Sequence, residues 1–341
     1  MLNQDSVFFI AEVSANHLGS LDRAHKLIDA AALSGATAVK FQTYTPDTMT
    51  LDIPEFSVIQ GHELWGGRNL YSLYAEAMTP WEWHAELFSH CREVGVLPFS
   101  SPFDQSAVEL LESLDAPMYK IASLESSDIA LIRAVANTGK PVIVSTGATE
   151  LDEIDDLFEI FSNSNSSQLT LLVCTSSYPA QPEDAHLNRI GFLKNRYHVR
   201  VGLSDHTLGV GVSVAAIAIG AEVIEKHITL NRNDGGADCA FSMEPSEFKQ
   251  LVDEGNAARK SLGNSSWSIQ ESEKESRRLR RSLYIVQDVK PGETLTQDNI
   301  RAIRPGAGLS PKHLETVIGR KFEREYKRGT PLQFDCLASE V

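Results

Sequence analysis

Two histidines, His206 and His227, each close a short apolar run, in VGLSDH and AEVIEKH. Imidazole is a common ligand for Mn, Fe, Co or Zn, and two ligands on different strands need no fixed spacing because the fold brings them together. With Asp205 and Glu225 beside them, two readings stay open: a divalent-cation site, or hydrogen-bonded histidines of a protein interior. Lys40 and Lys120 stand inside apolar runs, in AVKFQ and YKIAS. A lysine is rarely buried without a partner, so each must meet a carboxylate or an anionic substrate group. Ser123, Ser145 with Thr146 and Gly147, and Thr175 with Ser176 and Ser177 end neighbouring apolar runs. Two cations with such hydroxyls and helix N-termini make a seat for phosphate and carboxylate. Glu12, Glu125 and Asp238 are acid–base or hydroxyl-binding carboxylates, or, taken singly, capping groups. Arg304, in AIRPGAG, sits beside Pro305 and Gly306 where its side chain can point outward. There is no Walker-type or GxGxxG loop, so nucleotide binding is not indicated.

The elements that must position these residues alternate. Strand patterns cover Val7–Val13, Thr37–Gln42, Val96–Phe99, Met118–Ala122, Pro141–Thr146, Leu169–Cys174, Val199–Leu203 and Glu222–His227. Helical patterns lie between most of them, for instance Leu21–Ser34, Pro80–Val94, Gln105–Leu114, Ile129–Thr138 and Val210–Ile219. Several end in glycine, as at Gly35, Gly95, Gly139 and Gly220, which suits a helix C-cap. Strand–helix–strand repetition predicts parallel pairing with crossover helices, closed as a barrel or wound as an open sheet. Glu12, Lys40, Gln42, Lys120, Ser145, Thr175, Asp205, His206 and His227 all fall at carboxyl ends of the expected strands. A barrel gathers those ends at one mouth, whereas an open sheet spreads them along an edge, so the α/β reading is an eightfold TIM barrel.

The long loop Thr43–Tyr74 reads as a lid or a surface excursion. Residues 1–263 form the expected barrel domain, 264–281 a polar linker, and 282–341 a small β-rich domain with turns at Lys290-Pro291-Gly292 and Lys327-Arg328-Gly329. Its core is too small to carry chemistry alone. The net charge of −15 disfavours nucleic acid and anionic membranes. It is unevenly placed: residues 274–341 hold 14 Lys and Arg against 9 Asp and Glu, a balance of +5 that leaves −20 for the rest. Two parts of opposite sign suit a basic domain docking on an acidic one. The four scattered cysteines show no CxxC spacing, the polar start Met1–Ser6 lacks a basic n-region, and no apolar run would span a bilayer. These features lead us to expect a cytoplasmic protein with reduced thiols.

FFIAEVSANHLGS, AVKFQTY, FSSPFD, YKIASLE, VIVSTGA, CTSSYPAQPEDAHL, GLSDHTLG and VIEKHITL occur in that order. Together they resemble the sialic acid synthase family over nearly the whole chain. The segment RRSLYIVQDVKPGETLTQDNIRAIRPGAGLSP resembles its small antifreeze-like (SAF) domain. NRNDGGADCAFSMEP after VIEKHITL, with the aromatic segments Leu70–Tyr74 and Thr79–His84, is most similar to the pseudaminate branch. Cys239 stands where serine is usual and Ser176–Ser177 is a variant form, which bears on substrate preference.

The resemblance implies a role for each of these residues. His206 and His227 would hold a divalent cation, Mn²⁺ first and Mg²⁺ or Co²⁺ as alternatives. Lys40, Lys120, Ser123, Ser145, Thr175, Ser176 and Ser204 would bind phosphoenolpyruvate. Gln42, Glu125, Tyr178 and Asp238 would face an amino sugar, with Glu12 near the reacting centre. Arg304 would enter the barrel of a partner in a domain-swapped homodimer. The implied reaction is an aldol-like addition with C–O cleavage, and an apolar wall near Phe241 or Met243 would favour the methyl of a 6-deoxy sugar. Alternatives are an N-acetylneuraminate or legionaminate synthase, a non-catalytic carbohydrate-binding protein, and a Schiff-base aldolase on Lys40 or Lys120.

Overall fold

The computed structural model describes residues 6–57, 65–164 and 168–339, so residues 58–64 of the long loop and most of the polar start lie outside the described residues. By internal contacts the chain divides into two units, residues 1–263 and 264–341.

In the first unit eight parallel strands close a barrel in sequence order. They are β1 (Phe8–Glu12), β2 (Ala38–Thr43), β3 (Leu97–Pro102), β4 (Tyr119–Ile121), β5 (Val142–Ser145), β6 (Leu169–Cys174), β7 (Arg200–Ser204) and β8 (Val223–His227). Each expected strand is present within a few residues of its expected ends, and closure through β1–β8 pairing excludes the open sheet. The crossover helices include α1 (Leu21–Leu33), α2 (Pro46–Met49), α3 (Leu70–Ala77), α4 (His84–Val94), α5 (Gln105–Ser113), α6 (Ile129–Asn137), α7 (Leu151–Ser162), α8 (Arg189–Tyr197) and α9 (Gly211–Ala218); α10 (Pro245–Ser261) follows β8. Ser20 and Asp104 cap α1 and α5 by accepting from backbone N–H groups at 3.3 and 2.7 Å. Residues 80–83, expected as the first turn of α4, instead form a tight 3₁₀ turn at Trp81–Trp83.

Alternation along each strand sorts the side chains. One set (Phe9, Ala11, Val39, Phe41, Tyr119, Val144 and Leu171 among them) packs outward beneath the helices. The other set fills the barrel interior with Phe8, Ile10, Ala38, Phe99, Met118, Ile143, Leu172 and Val223. Gly202 completes this plug where no side chain fits, since a Cβ there would stand 2.2 Å from the Val223 carbonyl oxygen. The plug leaves open only the last inward positions at the carboxyl ends.

The second unit has its own core around Leu283, Ile285, Leu295, Phe322 and Leu332. Its strands β9 (Ser282–Ile285) and β10 (Ile300–Ile303) pair antiparallel, with Gly292 at φ +77° in the segment that joins them and Gly329 at φ +92° in a later turn. The polar segment 264–281 groups with this unit and carries the short helix α11 (Lys274–Arg278). Among the described residues no helix is long and apolar enough to cross a membrane.

Candidate active site

Above the plug lies a cavity of about 330 Å³ at the carboxyl-terminal mouth. Parallel register sets its floor. Glu12 on β1 lies level with Lys40 on β2 and with His227 on β8, while Ser204 on β7 lies level with Glu225 on β8. Lys40 Nζ makes a close ion pair with Glu12 and lies 3.8 Å from Glu225, and Lys120 Nζ lies 3.5 Å from the same Glu225 Oε1. Ser204 Oγ donates to that oxygen at 3.1 Å.

Two lysines and two carboxylates thus share a floor nearly closed to solvent. Burial opposes the charge on Lys40, but Glu12 and Glu225 outweigh it and raise its pKa above the ordinary lysine value. Burial leaves Lys120 below that value despite Glu225. Burial also opposes ionisation of Glu225, yet Lys120 and Lys40 hold its carboxyl below the usual range. Glu12 is pushed upward by burial against the pull of Lys40. Of the two carboxylates, Glu12 is the one shifted toward holding a proton.

The imidazoles face each other with ring centres 5.3 Å apart. The His206 Nδ1–H donates to the Thr175 carbonyl at 2.9 Å, which leaves Nε2 with its lone pair free to accept or ligate. His227 is held well below its ordinary value by burial and by neighbouring positive charge, and its Nδ1 is buried without a hydrogen-bond partner. Two such rings with an orphaned ring nitrogen fit a divalent cation. Among the described residues no three His, Cys, Asp or Glu side chains gather as a metal cage, so substrate and water oxygens would have to complete the shell. Tyr178 packs on His206 at 4.3 Å, and Phe241 on His227 at 5.0 Å.

A polar rim runs from β1 to the segment after β8. Gln42 Nε2 donates to Glu12 at 3.1 Å and to Ser14 Oγ at 2.9 Å, and Ser14 Oγ donates to Asp238 at 2.5 Å. Ser14 holds φ +45°, a costly backbone for a non-glycine residue, and Asp238 also accepts from the Ala15 N–H at 3.3 Å. On the β4–β6 side, Gly147 N–H donates to Ser123 Oγ at 3.1 Å. A Cβ on Gly147 would stand 2.4 Å from Ser176 Oγ, and Ser145 and Ser176 keep buried hydroxyl oxygens without protein partners. That is a small cradle of unspent hydroxyls beside Lys120.

Of the residues singled out in the sequence, Glu12, Lys40, Gln42, Lys120, Ser123, Glu125, Ser145, Tyr178, Ser204, His206, His227 and Asp238 line the cavity. Thr175 spends its hydroxyl on the Asp184 carbonyl at 2.8 Å and serves His206 through its backbone, while Ser176 sits behind Gly147. Arg304 is exposed just after β10 in the second unit. Three readings need correction. Phe241 and Met243 do not line the cavity: Phe241 packs on the imidazoles, and Met243 is buried at 1% exposure. Lys226 is a third lysine inside an apolar strand, facing outward with Nζ 3.0 Å from Asp205 and 2.6 Å from the Thr207 carbonyl. Asp205 caps that loop through Thr207 and Ser213 and does not face the cavity. Site residues the sequence did not single out include Ser14, Tyr44, Met49, Phe103, Cys174 and, for its own role, Glu225. Glu225 was detectable, because a strand whose His227 points inward also points residue 225 inward.

A barrel whose mouth gathers buried lysines, carboxylates and imidazoles is an enzyme of the (β/α)₈ class with a site for a small anionic substrate. The NeuB family pattern matches residues 27–266 and the SAF domain pattern residues 280–338; the chain belongs to the NeuB family. It is 43% identical to the pseudaminic acid synthase of Campylobacter jejuni (serotype O:2), over 96% of this chain and 95% of that one. Identity is also 43% to the pseudaminic acid synthase of Helicobacter pylori, over 96% of each. It is 33% to the N,N'-diacetyllegionaminic acid synthase of Campylobacter jejuni, over 93% of this chain and 96% of that one. The crystal structure of the N-acetylneuraminic acid synthetase of Leptospira borgpetersenii superposes with a TM-score of 0.72 at 35% identity, over 80% of this chain and 91% of that one.

Proposed function

We propose that the chain condenses phosphoenolpyruvate with 2,4-diacetamido-2,4,6-trideoxy-L-altrose to give pseudaminic acid, a nine-carbon 2-keto acid, and phosphate. The observation that carries this reading is the pairing of an anion floor (Lys40, Lys120 and the Ser123 and Ser145 hydroxyls, with Ser176 behind Gly147) with two imidazoles 5.3 Å apart in one cavity. The choice of sugar is supported by the higher identity to pseudaminic acid synthases than to the legionaminic acid synthase.

On this reading Lys40 and Lys120 neutralise the phosphate and carboxylate of phosphoenolpyruvate in a site that excludes bulk water. Gln42, Glu125, Tyr178 and Asp238 orient the open-chain sugar. Synthases of this family depend on a metal ion; a divalent cation, Mn²⁺ by preference and Mg²⁺ or Co²⁺ otherwise, would be held by His206 and His227 and would supply Lewis acidity at the aldehyde oxygen. C3 of phosphoenolpyruvate bonds to the aldehyde carbon of the sugar, whose C=O π bond opens and is protonated to a hydroxyl. Water adds at C2, and phosphate leaves with the bridging oxygen by C–O cleavage as the new C2 hydroxyl gives up its proton to become the keto group. Glu12, beside Lys40, holds the proton taken from water. Thr175 positions His206, and Ser204 steadies Glu225. Arg304 is proposed to complete the site in a second copy of the chain, in a domain-swapped homodimer working in the cytoplasm.

Phosphate release with Mn²⁺ tests the proposal, comparing the diacetamido-trideoxy-altrose with N-acetylmannosamine, with and without EDTA. Metal-dependent release with the altrose sugar is expected. Release mainly with N-acetylmannosamine would move the chain to the neuraminate branch, and no release with either from folded protein would end the pseudaminate reading, put legionaminate precursors next and reopen the non-enzyme reading.

A further inference from the structure

One side of the cavity is used by none of the chemistry above. Tyr44, Met49, Leu70, Tyr74 and Phe103 line it, and their only polar atoms besides the Met49 thioether sulfur are two phenol hydroxyls. These residues follow β2 and β3, and β3 lies opposite β7 in the closed strand order, so the wall stands across the mouth from His206. Its members hold one another. Tyr44 is buried at 2% exposure and meets the Tyr74 ring edge-on at 5.8 Å and the Phe103 ring at 5.2 Å. The segment behind it is anchored as well: Leu73 packs with Ala15 and Ala237, and Trp65 Nε1 donates to the Ala237 carbonyl at 3.1 Å. The wall is therefore a preformed apolar surface facing a polar floor.

We infer that this wall is the subsite for the deoxygenated end of the sugar, and that Met49 and Leu70, its half-buried aliphatic members, set the preference for a C6 methyl over a hydroxymethyl. The inference rests on the proposed function: with the aldehyde at the imidazoles, a six-carbon chain directs its far end across the mouth. A methyl there leaves water for carbon, whereas a hydroxyl gives up its water hydrogen bonds against side chains that offer few replacements. A pocket of this kind discriminates by about 10- to 100-fold, because shape alone rejects an added hydroxyl weakly.

The test compares kcat/KM for the 6-deoxy sugar and its 6-hydroxy analogue in wild type, Met49→Gln, Leu70→Gln and the conservative Met49→Leu. The glutamine variants offer an amide to the hydroxyl, matching methionine in length and reaching one atom further than leucine. The wild type should prefer the deoxy sugar by about 10- to 100-fold. Both glutamine variants should lose most of that ratio through KM for the sugar, with KM for phosphoenolpyruvate unmoved, and Met49→Leu should keep it. Phosphate release from both sugars with the same ratio in all four proteins overturns this inference alone. Absence of release from either sugar in the wild type overturns the proposed function and takes this inference with it.

Discussion

Replacing Lys120 by methionine separates the anion-holding role of the floor from its structural role. Lys120 is 2% exposed, and its nearest charged partner is Glu225 at 3.5 Å. Methionine fills a similar volume, so the barrel loses an ammonium whose desolvation already opposes its charge, while Glu225 keeps Lys40 at 3.8 Å and Ser204 at 3.1 Å. The floor is left with two carboxylates against one ammonium, so stability should fall by up to about 3 kcal/mol, with Lys40 and Ser204 taking up part of the loss. Binding of a trianionic substrate cannot be compensated in that way. A unit charge about 4 Å away at an effective dielectric near 20 is worth about 4 kcal/mol. Part of that is already spent on Glu225 in the free enzyme, leaving about 2–4 kcal/mol, or a fall of roughly 30- to 1000-fold in kcat/KM for phosphoenolpyruvate. Steady-state phosphate release, with urea unfolding alongside, measures both quantities. Adding Glu225→Gln to Lys120→Met should cost less than the sum of the single changes, because the two groups interact directly. A Lys120→Met enzyme within threefold of wild type in kcat/KM would refute the assignment of the floor to the anion.

Three further outcomes are expected. Reaction in ¹⁸O-water should leave the released phosphate unlabelled by mass spectrometry; label in phosphate would mean P–O cleavage and would end the proposed bond order. Burial lowers the pKa of His17 to about 4, and its Nδ1 accepts from the Gly19 N–H at 3.1 Å, so the folded state holds this ring neutral. The unfolded chain takes up the proton first, so stability is lost as pH falls from the unfolded value near 6.5 toward 4. Wild type should lose about 2 kcal/mol more than His17→Gln between pH 7 and pH 5 in urea melts, and equal losses would contradict this. Lys226→Met leaves the buried Asp205 carboxylate without its cation, although Thr207 and Ser213 still donate to it. Urea unfolding should show a loss of about 3 kcal/mol, and an unchanged midpoint would mean that the ion pair does not hold the β7–α9 loop.

Much of the frame was legible in the chain because its signals are local. A strand that ends in a polar residue, then a helix, then a glycine such as Gly95 at φ +87°, repeats through residues 7–227. The same pattern brings Glu12, Lys40, Lys120, Ser145, His206 and His227 to one mouth, since parallel strands share the direction of their carboxyl ends. Partners were not legible. Glu225 and Lys226 are neighbours with opposite fates, one inside the barrel between two lysines and one outside clamping the His206 loop. Strand phase separates them, and only register names what each meets. Ser14 and Asp238 are 224 residues apart and bonded. An apolar wall was expected near Phe241 and Met243, but the apolar side of the cavity is lined by Tyr44, Met49, Leu70, Tyr74 and Phe103, because proximity in sequence to His227 says nothing of which way a loop turns. The sequence by itself thus determined the barrel, the mouth and the residue types gathered there, through short-range periodicity. The tertiary structure alone decided which lysine faces which carboxylate, which ring nitrogen is left free and which loop supplies the apolar side, because those depend on closure of β8 against β1.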